Sequence, residues 1–115
     1  MTLTPRQAAA LLSAEIVPVV GCTEPASIAF ALGAAKRQLG QAFDPASHRV
    51  ELRLSRDVRR NASTAVIPFV RRRGLRAVAA AGLLCEDQGF NPFLGLERRR
   101  REFTRLMRRR GWLTI

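Results

Sequence analysis

A chain of 115 residues has room for one small domain, because domains average roughly 150 residues, and a second is excluded. Hydrophobic residues make up 47% and aromatic residues 6%, with no tyrosine, so the core is confined largely to Ala, Leu and Val. The formal charge is +11 and two cysteines are present, Cys22 and Cys85, too few for a disulfide framework and too far apart for a Cys-x-x-Cys motif; a reduced, cytoplasmic chain is expected.

Thr4-Pro5-Arg6-Gln7 reads as a capping box with proline in the first helical turn. A helix is expected at about 5–16, with Ala8, Leu11, Leu12, Glu15 and Ile16 on one mostly apolar stripe and Pro18 ending the run. Arg6 followed by an apolar stretch and Cys22 loosely imitates a lipoprotein signal, but Glu15 and Pro18 interrupt it. Glu15, Glu24 and Lys36 likewise break every apolar run before the roughly 20 residues a bilayer requires, and no membrane partner is expected.

After a turn at Gly21, a second helix is expected from Thr23 or Glu24, with Ile28, Leu32, Ala35 and Leu39 as its buried stripe and Gly40 as its stop. Arg49 to Leu54 alternates strictly, which puts Val50, Leu52 and Leu54 on one face of a half-buried strand. Ser63 to Ile67 is β-branched and closed by Pro68, so the two strands are expected to form a short hairpin across a polar turn from Arg56 to Ala62. An Ala-rich helix follows at 75–84. Gly89, Asn91-Pro92 and Gly95 are loop signals. Residues 98–115 carry eight arginines against Glu102 alone, and a helix there requires something to shield its charge. The expected class is α+β: an N-terminal helix, a helix after the Gly-Cys-Thr-Glu-Pro turn, a short hairpin, the Ala-rich helix and a basic tail.

The chemistry concentrates at Gly21-Cys22-Thr23-Glu24-Pro25. Cys22 stands immediately before a helix N-terminus, where unpaired amides and the helix dipole stabilise a thiolate and suit it to a metal or to nucleophilic work. Thr23 is placed to cap the helix, and Glu24 lies in the first turn, where a carboxylate is favoured. The same residues also serve as an ordinary helix start with an inert core cysteine.

Glu15, Pro18 and the five consecutive residues Gly21 to Pro25 resemble the N-terminal motif of the L-cysteine desulfidase family, related to the iron–sulfur L-serine dehydratase alpha chain. Val50 to Ser55, Arg60-Asn61, Val66-Ile67-Pro68, Gly74-Leu75, the helix from Ala77 to Gly82, and Gly95-Leu96-Glu97 extend the similarity over about residues 10–97. The resemblance implies that residues 1–97 are the N-terminal portion of a serine dehydratase-like domain and that 98–115 form an arginine-rich tail foreign to it. It also implies a 4Fe-4S cluster held by three cysteines, with one iron open as a Lewis acid toward a small amino-acid substrate that loses sulfide or hydroxide to give pyruvate and ammonia. Carried over residue by residue, Cys22 becomes a cluster ligand, and Thr23, Glu24 and Asn61 become substrate contacts. No catalytic base is identified.

Three departures qualify this expectation. Phe69-Val70-Arg71-Arg72-Arg73 replaces a glycine-rich loop, the tail matches no family segment, and the remaining cluster cysteines lie outside the chain. Two cysteines do not complete a cluster, so the implied enzyme is incompetent without a separate C-terminal lyase polypeptide. Cys85, at the end of an apolar helix, is expected to be a buried structural cysteine. His48 has no second ligand at a recognised spacing and reads as a loop histidine. The alternative function is a small basic protein whose tail arginines contact nucleic acid, against which stands the lack of stacking aromatics beside them.

Overall fold

The computed structural model describes residues 2–16, 22–85 and 91–115. The chain reversal expected at Pro18 and Gly21 and the loop signal at Gly89 lie outside these residues. Within them are five helices and four two-residue strands, and the class is α+β.

Helix α1 spans Pro5–Glu15. The expected capping box forms: the Gln7 amide donates to the Thr4 hydroxyl at 3.2 Å, and the Thr4 amide donates to Gln7 Oε1 at 2.9 Å. Its apolar stripe, however, buries no residue. Helix α2, Thr23–Leu39, starts on Cys22 as N-cap and stops at Gly40, whose φ of 72° is the left-handed conformation that glycine adopts without penalty. Ile28 and Leu32 are buried as expected, together with Pro25, Ala26, Ala29 and Gly33, whereas Ala35 and Leu39, in the last turns of the helix, are exposed.

Strand β1, Val50–Glu51, lies in a segment whose Val50, Leu52 and Leu54 are half-buried while Glu51 and Arg53 are exposed. The alternation is therefore real, but the expected hairpin partner is not. The stretch from Arg56 to Thr64 is helix α3 rather than a turn. Ser55 caps it by accepting from the Val58 amide at 3.3 Å, and Asp57 sits in its first turn, a helix-start signature. Val66–Ile67 (β2) instead pairs antiparallel with Arg72–Arg73 (β3), so the short hairpin lies one strand later. Its connection holds Phe69 at φ 69° and Arg71 at φ 52°, a conformation that favours glycine.

Helix α4 occupies Leu75–Leu84 as expected, with eight of its residues buried. It packs across α2 so closely that a Cβ on Gly82 would stand 2.7 Å from the Ala29 Cα. Lys36 Nζ, from α2, donates to the carbonyls of Leu83 and Cys85 at 3.0 Å each, satisfying groups that the end of α4 leaves unpaired. Its only lysine thus has a structural use.

The arginine-rich segment forms a 3-10 turn at Leu96–Arg99, helix α5 at Arg100–Arg108, and strand β4 at Leu113–Thr114. The shielding comes from packing on one side and water on the other. Phe103 and Leu106 enter the core, and the arginines of α5 face out. Strand β4 runs parallel to β1, with Val50 opposite Leu113 and Glu51 opposite Thr114. Trp112, immediately before β4, is completely buried. Its Nε1 donates to the Leu106 carbonyl at 2.9 Å, and the Arg76 guanidinium lies 5.1 Å from its ring centroid. The same guanidinium donates to the carbonyls of Met107, at 3.0 Å, and of Arg109, closing the C-terminal end of α5.

Candidate functional site

Residues expected to carry chemistry sit at the start of α2. The carbonyl of Cys22 accepts from the Ala26 amide, which makes Cys22 the true N-cap, but its side chain makes no capping hydrogen bond. The thiol is free and the residue exposed. Thr23 does not cap the helix as expected. Its hydroxyl donates to Glu24 Oε2 at 3.1 Å, because Thr23 lies inside the first turn rather than before it.

Asn61 comes to this corner from α3, where Nδ2 donates to Glu24 Oε1 at 3.3 Å. Three of the residues singled out from the sequence, Thr23, Glu24 and Asn61, are thereby joined through one carboxylate. Its own backbone amide, then the Thr23 hydroxyl, then the Asn61 carboxamide hold the Glu24 carboxyl below its ordinary range. The result is a carboxylate anion presented at a helix N-terminus beside an exposed thiol.

Cys85 is different in kind. It is buried at the end of α4, and burial pushes its thiol up to about 11, outweighing the opposing fields of Lys36 and Arg99. Alkylation with iodoacetamide is therefore expected to modify Cys22 in the folded chain and Cys85 only after denaturation. Intact-protein mass spectra before and after urea check this, and two additions to the folded chain would contradict it.

These residues do not fit a 4Fe-4S cluster. Such a cluster requires at least three thiolates when one iron is open, the chain has two cysteines, and one of them is buried as a thiol. Among the described residues no group of three or more His, Cys, Asp or Glu side chains is placed to hold a metal ion. His48 is engaged locally: its Nδ1 accepts from the Asp44 amide at 2.8 Å. No described helix is long and apolar enough to cross a membrane.

Arg76 and Lys36 were not singled out as functional from the sequence, and both proved to cap helix ends. Their signal, a basic residue within reach of another helix's C-terminus, exists only in three dimensions.

The fold and this corner define an α+β unit whose polar residues join two helices through one carboxylate, next to a single exposed thiol. In sequence the chain is 36% identical over 78 residues to a UPF0597 protein of Lachnoclostridium phytofermentans, covering 67% of this chain and 18% of the relative. It is 35% identical over 75 residues to a UPF0597 protein of Caldanaerobacter subterraneus subsp. tengcongensis, covering 65% of this chain and 17% of that protein. Against a UPF0597 protein of Oleidesulfovibrio alaskensis it is 36% identical over 87 residues, or 76% of this chain and 18% of the relative. The chain thus spans less than a fifth of the length of these relatives. No family model and no solved structure matches it.

These findings correct the expectation drawn from the Gly-Cys-Thr-Glu-Pro resemblance. The relatives are UPF0597 proteins, not L-cysteine desulfidases or L-serine dehydratases, and their name carries no lyase or iron–sulfur activity. The Gly-Cys-Thr-Glu-Pro motif holds residues that local physics alone selects at a helix start, and neither it nor the similarity over about residues 10–97 carries that activity to this chain. The alternative of a nucleic-acid-binding protein gains no support from the relatives either.

Proposed function

We propose that this chain is an assembly module of a larger UPF0597-like protein, docking through α1 and the outer face of α2 onto further polypeptide. The observation that carries the reading is α1 itself. Leu3, Leu11, Leu12 and Ile16, on α1 and its flanks, are 47%, 51%, 56% and 69% exposed, and Phe30 on the outer face of α2 is 44% exposed. An isolated helix shorter than about 12–15 residues is marginal in water, and helices of this length depend on burying an apolar face. The length of the relatives supports the reading, because most of their polypeptide lies beyond the stretch this chain matches.

In the same reading, Thr23, Glu24 and Asn61 contribute one anionic wall to a binding site for a small amino acid, which the docked polypeptide closes. A carboxylate held ionised by three donors suits an ammonium group. We assign the assembly to the cytoplasm, in keeping with two free cysteines.

The docking test compares one double substitution in two settings. In the isolated chain, Leu11→Asp with Leu12→Asp is expected to change stability by less than about 0.5 kcal/mol, as exposed substitutions do. In a chimera where the chain replaces the matching stretch of the Lachnoclostridium phytofermentans relative, the pair is expected to cost about 2 kcal/mol or more, since two leucines then leave an interface. Urea unfolding followed by circular dichroism reads both. Equal, small effects in the two settings would refute the docking role.

A further inference from the structure

The arginine-rich side of α5 combines two features that neither the corner at Glu24 nor the docking face uses. The first is a row of guanidinium groups. Arg98, Arg101, Arg105 and Arg108 are exposed and follow one another at intervals of three and four residues, so they share a face of the 3-10 turn and helix over about 15 Å at about 1.5 Å per residue. Their side chains make no hydrogen bond or ion pair among the described residues. The nearby acid is already committed, because Glu102 pairs with Arg99 at 3.5 Å. Glu97 stands at the N-terminal end of the row.

The second feature is an open cleft of about 480 Å³ alongside that row, between the Phe43–Pro45 loop and α5. Phe43, Pro45 and Leu106 are its apolar lining, and Arg105, Arg108 and Arg109 line it with charge, three cations against the one carboxylate of Glu102. The volume is within the range of about 300–1,000 Å³ that holds a ligand or a few side chains. Cations beside an apolar lining call for a partner with an apolar face bordered by carboxylates.

We propose that this surface docks an acidic amphipathic helix of a partner polypeptide. Its apolar side chains enter the Phe43–Pro45–Leu106 cleft, and its carboxylates at intervals of three and four residues pair with the arginine row. Guanidinium groups match carboxylates in paired, directional hydrogen bonds, and a helix repeats them at the spacing α5 offers. An anionic membrane fits less well: its binding draws on apolar side chains that protrude, whereas those of α5 are turned inward, with Phe103 and Leu106 buried. A nucleic-acid strand fits less well too, since binding one draws on free aromatic faces. Phe43 is held edge-on to Trp112, with ring centroids 6.0 Å apart.

The test is fluorescence anisotropy at low salt with a labelled synthetic helix carrying glutamates along one face and leucines beside them. Saturable binding is expected, weakening as salt rises and falling by about tenfold or more with Arg105→Glu and Arg108→Glu together. A peptide with serines for its leucines is expected to bind correspondingly less tightly. Both arginines are exposed, so the fold should persist; circular dichroism and Trp112 emission verify it, and Arg105→Ala with Arg108→Ala replaces the first variant if it does not. Absence of binding, indifference to the arginine substitutions, or equal binding of the leucine-free peptide overturns the proposal. So does tighter binding to phosphatidylglycerol vesicles or to a single-stranded oligonucleotide than to the helix.

Discussion

Gly82→Ala is expected to lower stability by about 2–3 kcal/mol, within the range for overpacking a tight contact, although alanine is the better helix former by about 1 kcal/mol. The two effects oppose each other, and geometry decides. The added Cβ would stand 2.7 Å from the Ala29 Cα and 3.2 Å from both its Cβ and its carbonyl oxygen, against an optimal carbon–carbon separation of about 3.5–4.0 Å. Because the nearest atom is backbone, no rotamer change relieves the clash, and α2 and α4 must move apart. Their separation would loosen contacts along a pair that holds Ile28, Leu32, Val78 and Leu83 in the core. The urea midpoint read by circular dichroism measures the loss. Ala29→Gly in the same chain should recover little, since it removes the Cβ and leaves the Cα. A neutral or stabilising Gly82→Ala would show that the helices lie further apart than this.

The parts of the fold legible in the sequence were those specified by neighbours in the chain. Thr4 and Gln7 define their helix start within one turn, Gly40 its opposite, and the Ala-rich run from Leu75 to Leu84 forms its helix over the expected residues. The alternation from Val50 to Leu54 identified a half-buried strand but held no information about its partner. That partner comes from Leu113 and Thr114, at the far end of the chain. In the segment expected as a turn from Arg56 to Ala62, the charges mask a helix start built from Ser55 and Asp57. In the arginine-rich segment the charge outweighed a weaker signal: Phe103, Leu106 and Met107 at helical spacing, followed by the one tryptophan.

At the candidate site, sequence spacing put Cys22, Thr23 and Glu24 at one helix start, and the structure adds that Asn61 reaches the same carboxylate from α3. Residue type and local geometry were readable; the family was not. A turn that favours anions is common to many helix starts, so it describes a local environment without naming a reaction. The cleft beside α5 was illegible for a different reason. Its lining joins the Phe43–Pro45 loop to Leu106, residues far apart in the sequence with no local pattern that links them.

Trp112→Ala is expected to be the most damaging substitution in the arginine-rich segment, costing about 3–5 kcal/mol, as large-to-alanine changes in cores do. The indole is completely buried. Its removal leaves a cavity where Phe43 packs edge-on, and it strips Arg76 of the ring 5.1 Å away. It also deletes the Nε1 donor to the Leu106 carbonyl, a group at the end of α5 where helices run short of partners. The backbone consequence follows from position. The Trp112 carbonyl accepts from the Val50 amide at 2.7 Å, so a displaced Trp112 loosens β4 from β1 and α5 from α4 together. Circular dichroism is the appropriate probe, because the substitution removes the chain's only tryptophan. Trp112→Phe, which keeps a ring and loses the donor, should cost about 1–2 kcal/mol. Arg101→Ala on the outer face should change stability by less than about 0.5 kcal/mol. That ordering, tryptophan far above arginine, is what distinguishes a segment held by its few apolar residues from one held by its charges, and equal effects at Trp112 and Arg101 would contradict it.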